Sequence, residues 1–144
     1  MRKATKVLMF VWRKGEKGEA EFLVLKRREQ KDCVVLTGHV GDVFPDESLQ
    51  EAVAREIKEE LNIEPVNIAD LDFVSEVKIK DDNVLSREHG FLAEVLYEKE
   101  TRFLEYEAEI IWLSLPDLEK ALTYKHQKET IKIIKDLKNC FCHP

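Results

Sequence analysis

Cysteine, glycine and proline are scarce in this chain of 144 residues, which has only three, five and four of them. The three cysteines, Cys33, Cys140 and Cys142, are odd in number and too sparse for a disulfide framework. They suit reduced thiols and a cytoplasmic setting. So little glycine and proline leaves no linker to divide the chain, and neither a repeat nor a low-complexity tract is present, so one domain over residues 1–144 is expected. No stretch approaches the roughly eighteen apolar residues of a membrane-spanning helix. The apolar run Val7 to Trp12, behind a basic start, ends at Arg13-Lys14 without a small-residue cleavage site, which makes a poor signal peptide. Positive charge is also short: 23 basic against 29 acidic residues leave a net charge of −6. A chain with that balance repels a phosphate backbone or an anionic membrane surface unless a local basic patch exists, so no nucleic-acid or membrane partner is expected.

What is present is a core-forming share of apolar residues, 44%, in patterned segments. Lys6 to Trp12 and Glu21 to Lys26 read as strands, joined by a turn at Lys14-Gly15-Glu16-Lys17-Gly18 into a hairpin. Cys33 to Leu36 is a short third strand ending at Thr37-Gly38-His39. Asp46 to Asn62 is the clearest helix. Ser48 and Glu51 have capping-box spacing, Leu49, Val53, Ile57 and Leu61 form a stripe, and Glu64-Pro65 stops it. Leu71 to Lys80, His89 to Leu96 and Ile110 to Leu113 read as strands, with a turn at Lys80-Asp81-Asp82-Asn83. Pro116 to Leu122 and Gln127 to Leu137 read as helices. Strands, helix, strands, helices predict an α/β (α+β) class with a mixed sheet covered by helices, not a regular βαβ wind.

The chemistry concentrates between Gly41 and Ile63. Glu56, Glu59 and Glu60 stand at i, i+3 and i+4, within one arc of the helix beside the apolar stripe. Three carboxylates on one face repel one another and gain from cations placed among them. An all-oxygen donor set suits Mg²⁺ or Mn²⁺; zinc would recruit His or Cys, which this helix lacks. The plain alternative is a solvated, charge-rich helix face.

The longer pattern is Gly41, five residues, Glu47, seven residues, then Arg55-Glu56-Ile57-Lys58-Glu59-Glu60-Leu61-Asn62-Ile63. It resembles the Nudix box, with Asn62 where the family has its last glycine. Asn is the next-best residue for a left-handed helix stop, so the departure is mild. By spacing Gly41 is the box glycine and the box spans 41–63. By local context (Gly38-His39-Val40) Gly38 is, and the box starts at 38 with a lengthened loop. The resemblance extends along most of the chain and implies a Nudix-type α/β/α sandwich, with the box helix and the C-terminal helices packed on a mixed sheet.

The resemblance further implies a hydrolase acting on phosphorus-containing acid anhydrides. Glu56, Glu59, Glu60 and the Gly38 carbonyl would hold Mg²⁺ (or Mn²⁺), while Glu47 and Arg55 would brace the loop and helix as an ion pair. Catalysis would fall to Glu56, Glu59 and a distal carboxylate. Glu105, Glu107 and Glu109 are the distal candidates, on one face if the strand reaches that far, and Glu107 ranks first. Arg27, Arg28 and Arg87 are candidate phosphate contacts, and Tyr124-Lys125 stands where some relatives bring substrate-binding side chains. His89 and the tail Cys140-Phe141-Cys142-His143 are weaker candidates, the latter lacking a second ligand pair at zinc spacing. The implied substrate is a nucleoside-triphosphate-like small molecule, with dihydroneopterin triphosphate pyrophosphatases and diadenosine tetraphosphate hydrolases as the most similar-looking subfamilies. A diadenosine polyphosphate hydrolase and a non-catalytic nucleotide-binding or regulatory domain are the alternatives. A monomer or homodimer is expected.

Overall fold

A computed structural model describes residues 2–79 and 83–141, with the backbone alone at 79 and 138–141. Most of the turn expected at 80–83, and the candidate ligands at Cys140, Cys142 and His143, lie outside the described residues or side chains. In chain order the elements are β1 (Arg2–Lys14), β2 (Ala20–Arg27), β3 (Asp32–Val34), β4 (Leu36–His39), α1 (Leu49–Leu61), β5 (Asn67–Ile79), β6 (Val84–Glu94), β7 (Ala108–Leu113), α2 (Leu115–Ala121) and α3 (Lys125–Phe141). The strands form one mixed sheet. β1 runs parallel to β6 and antiparallel to β2 and β4; β5 is antiparallel to β6, and β7 covers the outer edge of β2.

Alternation along β1 builds both cores. Val7, Met9 and Val11 point to one face, where Ala52, Val53, Ile57 and Leu61 of α1 close over them. Leu8, Phe10 and Trp12 point to the other, under Leu115 and Leu118 of α2, Leu122, and Ile131 and Ile134 of α3. Burying each of these large side chains contributes roughly 1.5–3 kcal/mol, so the two layers of helix are held by residues of one strand. This is the expected α/β/α sandwich.

Helix α1 is shorter than its 46–62 expectation because its caps lie outside it. Ser48 Oγ accepts the Glu51 amide at 3.1 Å while Glu51 Oε1 accepts the Ser48 amide at 3.0 Å. Asn62 takes the left-handed conformation (φ 57, ψ 36) and its amide donates to the Lys58 carbonyl.

Several strands depart from expectation; β6, expected from His89 to Leu96, runs from Val84 to Glu94. β1 extends to Arg2 because backbone pairing with β6 needs no apolar side chains. The single strand expected at Cys33 to Leu36 is two, since β3 pairs with β2 and β4 with β1. At the junction the Val35 amide leaves the ladder and donates to Gln127 Oε1 of α3 at 3.1 Å. β5 carries a register shift between Asp70 and Val74, with Asp72 at φ 53.

Candidate active site

The box segment divides into a neutralised half and a charged half. In the first, Arg55 meets Glu47 through two hydrogen bonds, Nε to Oε2 at 2.6 Å and Nη2 to Oε1 at 2.9 Å. Nη2 also donates to the His39 carbonyl at 2.9 Å, and Nη1 reaches Glu56 Oε1 at 3.0 Å and Glu59 Oε2 at 3.2 Å. Glu47, only 3% exposed at its side chain, accepts a further bond from the Gly41 amide. Arg55 holds this carboxyl below the usual carboxylate range, against the opposing effect of burial. One guanidinium therefore ties the loop, the end of β4 and the acidic face of α1 together.

Both glycines in question have a structural task. Gly41 sits at φ 83, a left-handed turn within the loop that Glu47 closes. Gly38 lies in β4, where a Cβ would come within 2.3 Å of the Glu56 carboxyl carbon, so its lack of a side chain lets Glu56 lie against the strand.

In the second half, carboxylate oxygens of Glu56, Glu59 and Glu105 lie within 4.8 Å of one another. Glu105 arrives from the segment before β7. The Leu104 amide donates to the Glu60 carbonyl at 2.8 Å, and Phe103 packs on the α1 core, which lays Glu105 beside the helix. Beside them Glu60 is 4% exposed, and its buried Oε2 has no hydrogen-bond partner among the described residues. Burial, then the charges of Glu56, Glu105 and Glu59, push its carboxyl up to about 9. Burial also raises Glu56, against the pull of Arg55. Such carboxyls stay charged only beside a cation. The donors are all oxygen, those of Glu56, Glu59 and Glu105 converge, and beside them the orphan oxygen of Glu60 is buried, a set that fits a hard divalent cation.

The other candidates separate. Glu107 is 73% exposed and pairs with Arg28 at 2.9 Å, away from the three converging carboxylates. Strand alternation does not govern Glu105 and Glu107, because β7 begins only at Ala108. Arg27 is locked to Asp32 (Nε to Oδ1 2.7 Å), and Tyr124 donates to the same carboxylate at 2.6 Å. Arg87 is exposed on β6 opposite Glu76, and Lys125 is exposed with only a 3.8 Å pairing to Glu129.

Two cavities meet at the carboxylates. One of about 260 Å³ holds Gly38, Arg55, Glu56 and Glu59; the other, about 280 Å³, extends to Arg27, Tyr124, Glu88 and His126. Thr37, Glu60 and Glu105 line both. Sequence reasoning missed Glu88 and His126. The available signal was a glutamate in step with Ser86, Gly90 and Leu92, on a strand face turned inward.

Comparison with known proteins agrees with this architecture. No curated protein matches the chain by sequence. Among solved structures, the Escherichia coli dihydroneopterin triphosphate pyrophosphohydrolase superposes with a TM-score of 0.74 at 21% identity, over 94% of this chain and 99% of that one. A Caenorhabditis elegans Ap4A hydrolase complex gives 0.75 at 21% identity, over 96% and 99%. The NUDIX domain of Shewanella oneidensis NrtR, complexed with ADP ribose, gives 0.72 at 16% identity, over 94% and 88%. At these identities the likeness is one of fold. The family model for the NUDIX domain matches residues 2–137, and the chain therefore belongs to the Nudix family, hydrolases of phosphorus-containing acid anhydrides.

Proposed function

We propose that the protein is a Mg²⁺-dependent pyrophosphohydrolase that cleaves a phosphoanhydride bond in a nucleoside-triphosphate-like small molecule. The observation that carries this reading is the convergence of Glu56, Glu59 and Glu105 above the buried, unpartnered Glu60, opening directly onto a second cavity. Glu56, Glu59 and Glu60 would hold the cation, with the Gly38 carbonyl of β4 beside them. A cation bound there would supply charge neutralisation for the phosphates and would ease the loss of a proton from water. Arg55 keeps Glu56 and Glu59 in place, with Glu47 as its anchor. Glu105, in place of Glu107, takes the proton of the attacking water as its oxygen bonds to phosphorus and the bridging P–O bond breaks. Arg27 and Tyr124 wall the adjoining cavity; Arg87 and Lys125 line neither cavity and have no part in this reading.

A dinucleoside polyphosphate is the second reading. A groove of about 620 Å³, lined by Lys26, Arg28 and Lys31 but also by Glu107 and Glu109, shares Arg27 with the 280 Å³ cavity and has room for a second nucleoside.

The test is separation of the hydrolysis products (nucleoside monophosphate and pyrophosphate, or the two nucleotide or sugar-phosphate fragments) from a panel of nucleoside triphosphates, dihydroneopterin triphosphate, Ap4A and ADP-ribose, with and without Mg²⁺, and Glu59→Gln alongside. Turnover that requires the cation and falls at least about 100-fold in the variant is expected, in line with the loss of a charge-stabilising group. A folded wild type that binds Mn²⁺ and turns over nothing in the panel would favour a binding domain instead.

A further inference from the structure

The 280 Å³ cavity runs from the candidate metal site to a buried charged group that hydrolysis does not use. Glu88 stands in β6 with 6% of its surface exposed, on the sheet face under α3. Its Oε1 lies 3.1 Å from His126 Nε2, its one hydrogen-bond partner among the described residues. With a carboxylate as acceptor, that imidazole nitrogen carries the hydrogen. Around Glu88 the face is polar where packing alone would favour hydrocarbon. Ser75 is its cross-strand partner and Ser86 stands two residues before it, and both have buried hydroxyls with no partner among the described residues. Burying a carboxylate is costly unless something repays it, and one imidazole occupies only part of its accepting capacity. The side chain also lines the cavity, together with His126, Gln127, Tyr106 and Tyr124.

A cavity of 280 Å³ lies near the small end of ligand pockets (roughly 300–1,000 Å³), which suits a ring system and not a whole nucleotide. Phosphates would lie over Glu56, Glu59 and Glu105, leaving the ring to reach toward Glu88. A carboxylate at that end offers acceptors only. It matches a ring edge with two adjacent N–H donors, namely the 2-amino-4-oxo-pyrimidine edge, which presents a ring N–H beside an exocyclic NH₂. Guanine and pterins both carry this edge. Adenine and cytosine pair their amino group with a bare ring nitrogen, which would face the carboxylate lone pair to lone pair. Uracil and thymine flank one N–H with two carbonyls. Gln127 has its oxygen committed to the Val35 amide, so its NH₂ group is left as a donor for a ring carbonyl.

We infer that Glu88, held by His126, is the residue that selects the substrate's ring, and that the substrate carries a 2-amino-4-oxo-pyrimidine ring, guanine or pterin. This rests on the hydrolase reading for the placement of the phosphates.

The test compares kcat/KM for GTP, ITP, ATP and dihydroneopterin triphosphate, in the wild type and in Glu88→Gln. ITP differs from GTP only by the 2-amino group, so the wild type answers the question even if the variant fails to fold. GTP or the pterin is expected to exceed ITP and ATP by about 10- to 100-fold, the usual weight of a bidentate contact. Glu88→Gln should collapse that ratio, through KM more than kcat. Preference between GTP and the pterin identifies the source of the ring, and either result supports the inference. Equal handling of GTP, ITP and ATP overturns it while leaving the hydrolase reading intact. So does a Glu88→Gln protein that melts earlier with its ratio unchanged, which would make the pair a tie between α3 and the sheet. If no triphosphate is hydrolysed, saturation-transfer NMR with GMP, IMP and AMP decides independently. Selective GMP binding supports the ring assignment, and absent or unselective binding overturns it.

Discussion

Glu47 and Glu60 are the same residue type, both nearly sealed from water, only thirteen positions apart, and they behave in opposite ways. Glu47 is held below the usual range by a two-pronged bond to Arg55. Glu60, with an orphaned oxygen and three carboxylates around it, is pushed up to about 9. Burial pushes both up, more strongly at Glu60, and only Glu47 has a cation in contact to reverse it. A chain does not gain stability by burying an unpaired carboxylate. The first site is a brace whose charges are already balanced. The second leaves its negative charges unbalanced, and Arg55, touching Glu56 and Glu59 as well, is where the two adjoin.

Removing the brace should cost most. Arg55→Ala leaves Glu47 buried without its partner, and breaking a covered ion pair in this way is expected to cost about 3 kcal/mol, a large part of a small domain's stability. Urea denaturation of the metal-free protein measures it. If the loss is under about 1 kcal/mol, Glu47 is not the balanced half of the comparison.

Per pH unit, a smaller effect separates the two carboxyls. Glu60 binds its proton more tightly in the folded chain than in the unfolded one, between its ordinary 4.5 and about 9. The folded state then holds more protons, so the metal-free protein should lose stability as pH rises through that window, by at most about 1.4 kcal/mol per pH unit. Glu47 acts on the other limb. Its lowered value adds stability present above the ordinary carboxylate pKa and lost as pH falls below it. Glu60→Gln should flatten the alkaline limb alone, read as Tm against pH in EDTA. A wild-type Tm that is constant from pH 5 to pH 9 would show that Glu60 is not strained.

How far these features were legible follows from how local their causes are. Ser48, Glu51 and Asn62 announce the ends of α1, and Leu49 through Leu61 its buried stripe, because caps and periodicity act within a few residues. The arc of Glu56, Glu59 and Glu60 was readable for the same reason. Glu105 was not separable from Glu107, because alternation ranks residues only inside a strand. The Leu104 amide bond to Glu60 and the packing of Phe103, which bring Glu105 in, join segments some forty residues apart. The split between β3 and β4 depends likewise on Gln127, 92 residues beyond Val35. Glu88 looks like any charged strand residue until α3 is laid over it.

The smallest effect is a control on the comparison, since it alters the helix without touching either carboxylate. Asn62 ends α1 at φ 57, where glycine is at ease and a side chain with a Cβ is strained. Asn tolerates the conformation better than other non-glycine residues, so Asn62→Gly should stabilise by a few tenths of a kcal/mol, whereas Asn62→Ala should cost about 1 kcal/mol. Both changes should be the same at pH 6 and pH 8, because no titrating group faces a new partner. If the cost of Asn62→Ala grows with pH, the end of α1 is coupled to Glu60, two residues before it. The alkaline limb would then report fraying of the helix as well as the charge on one carboxyl.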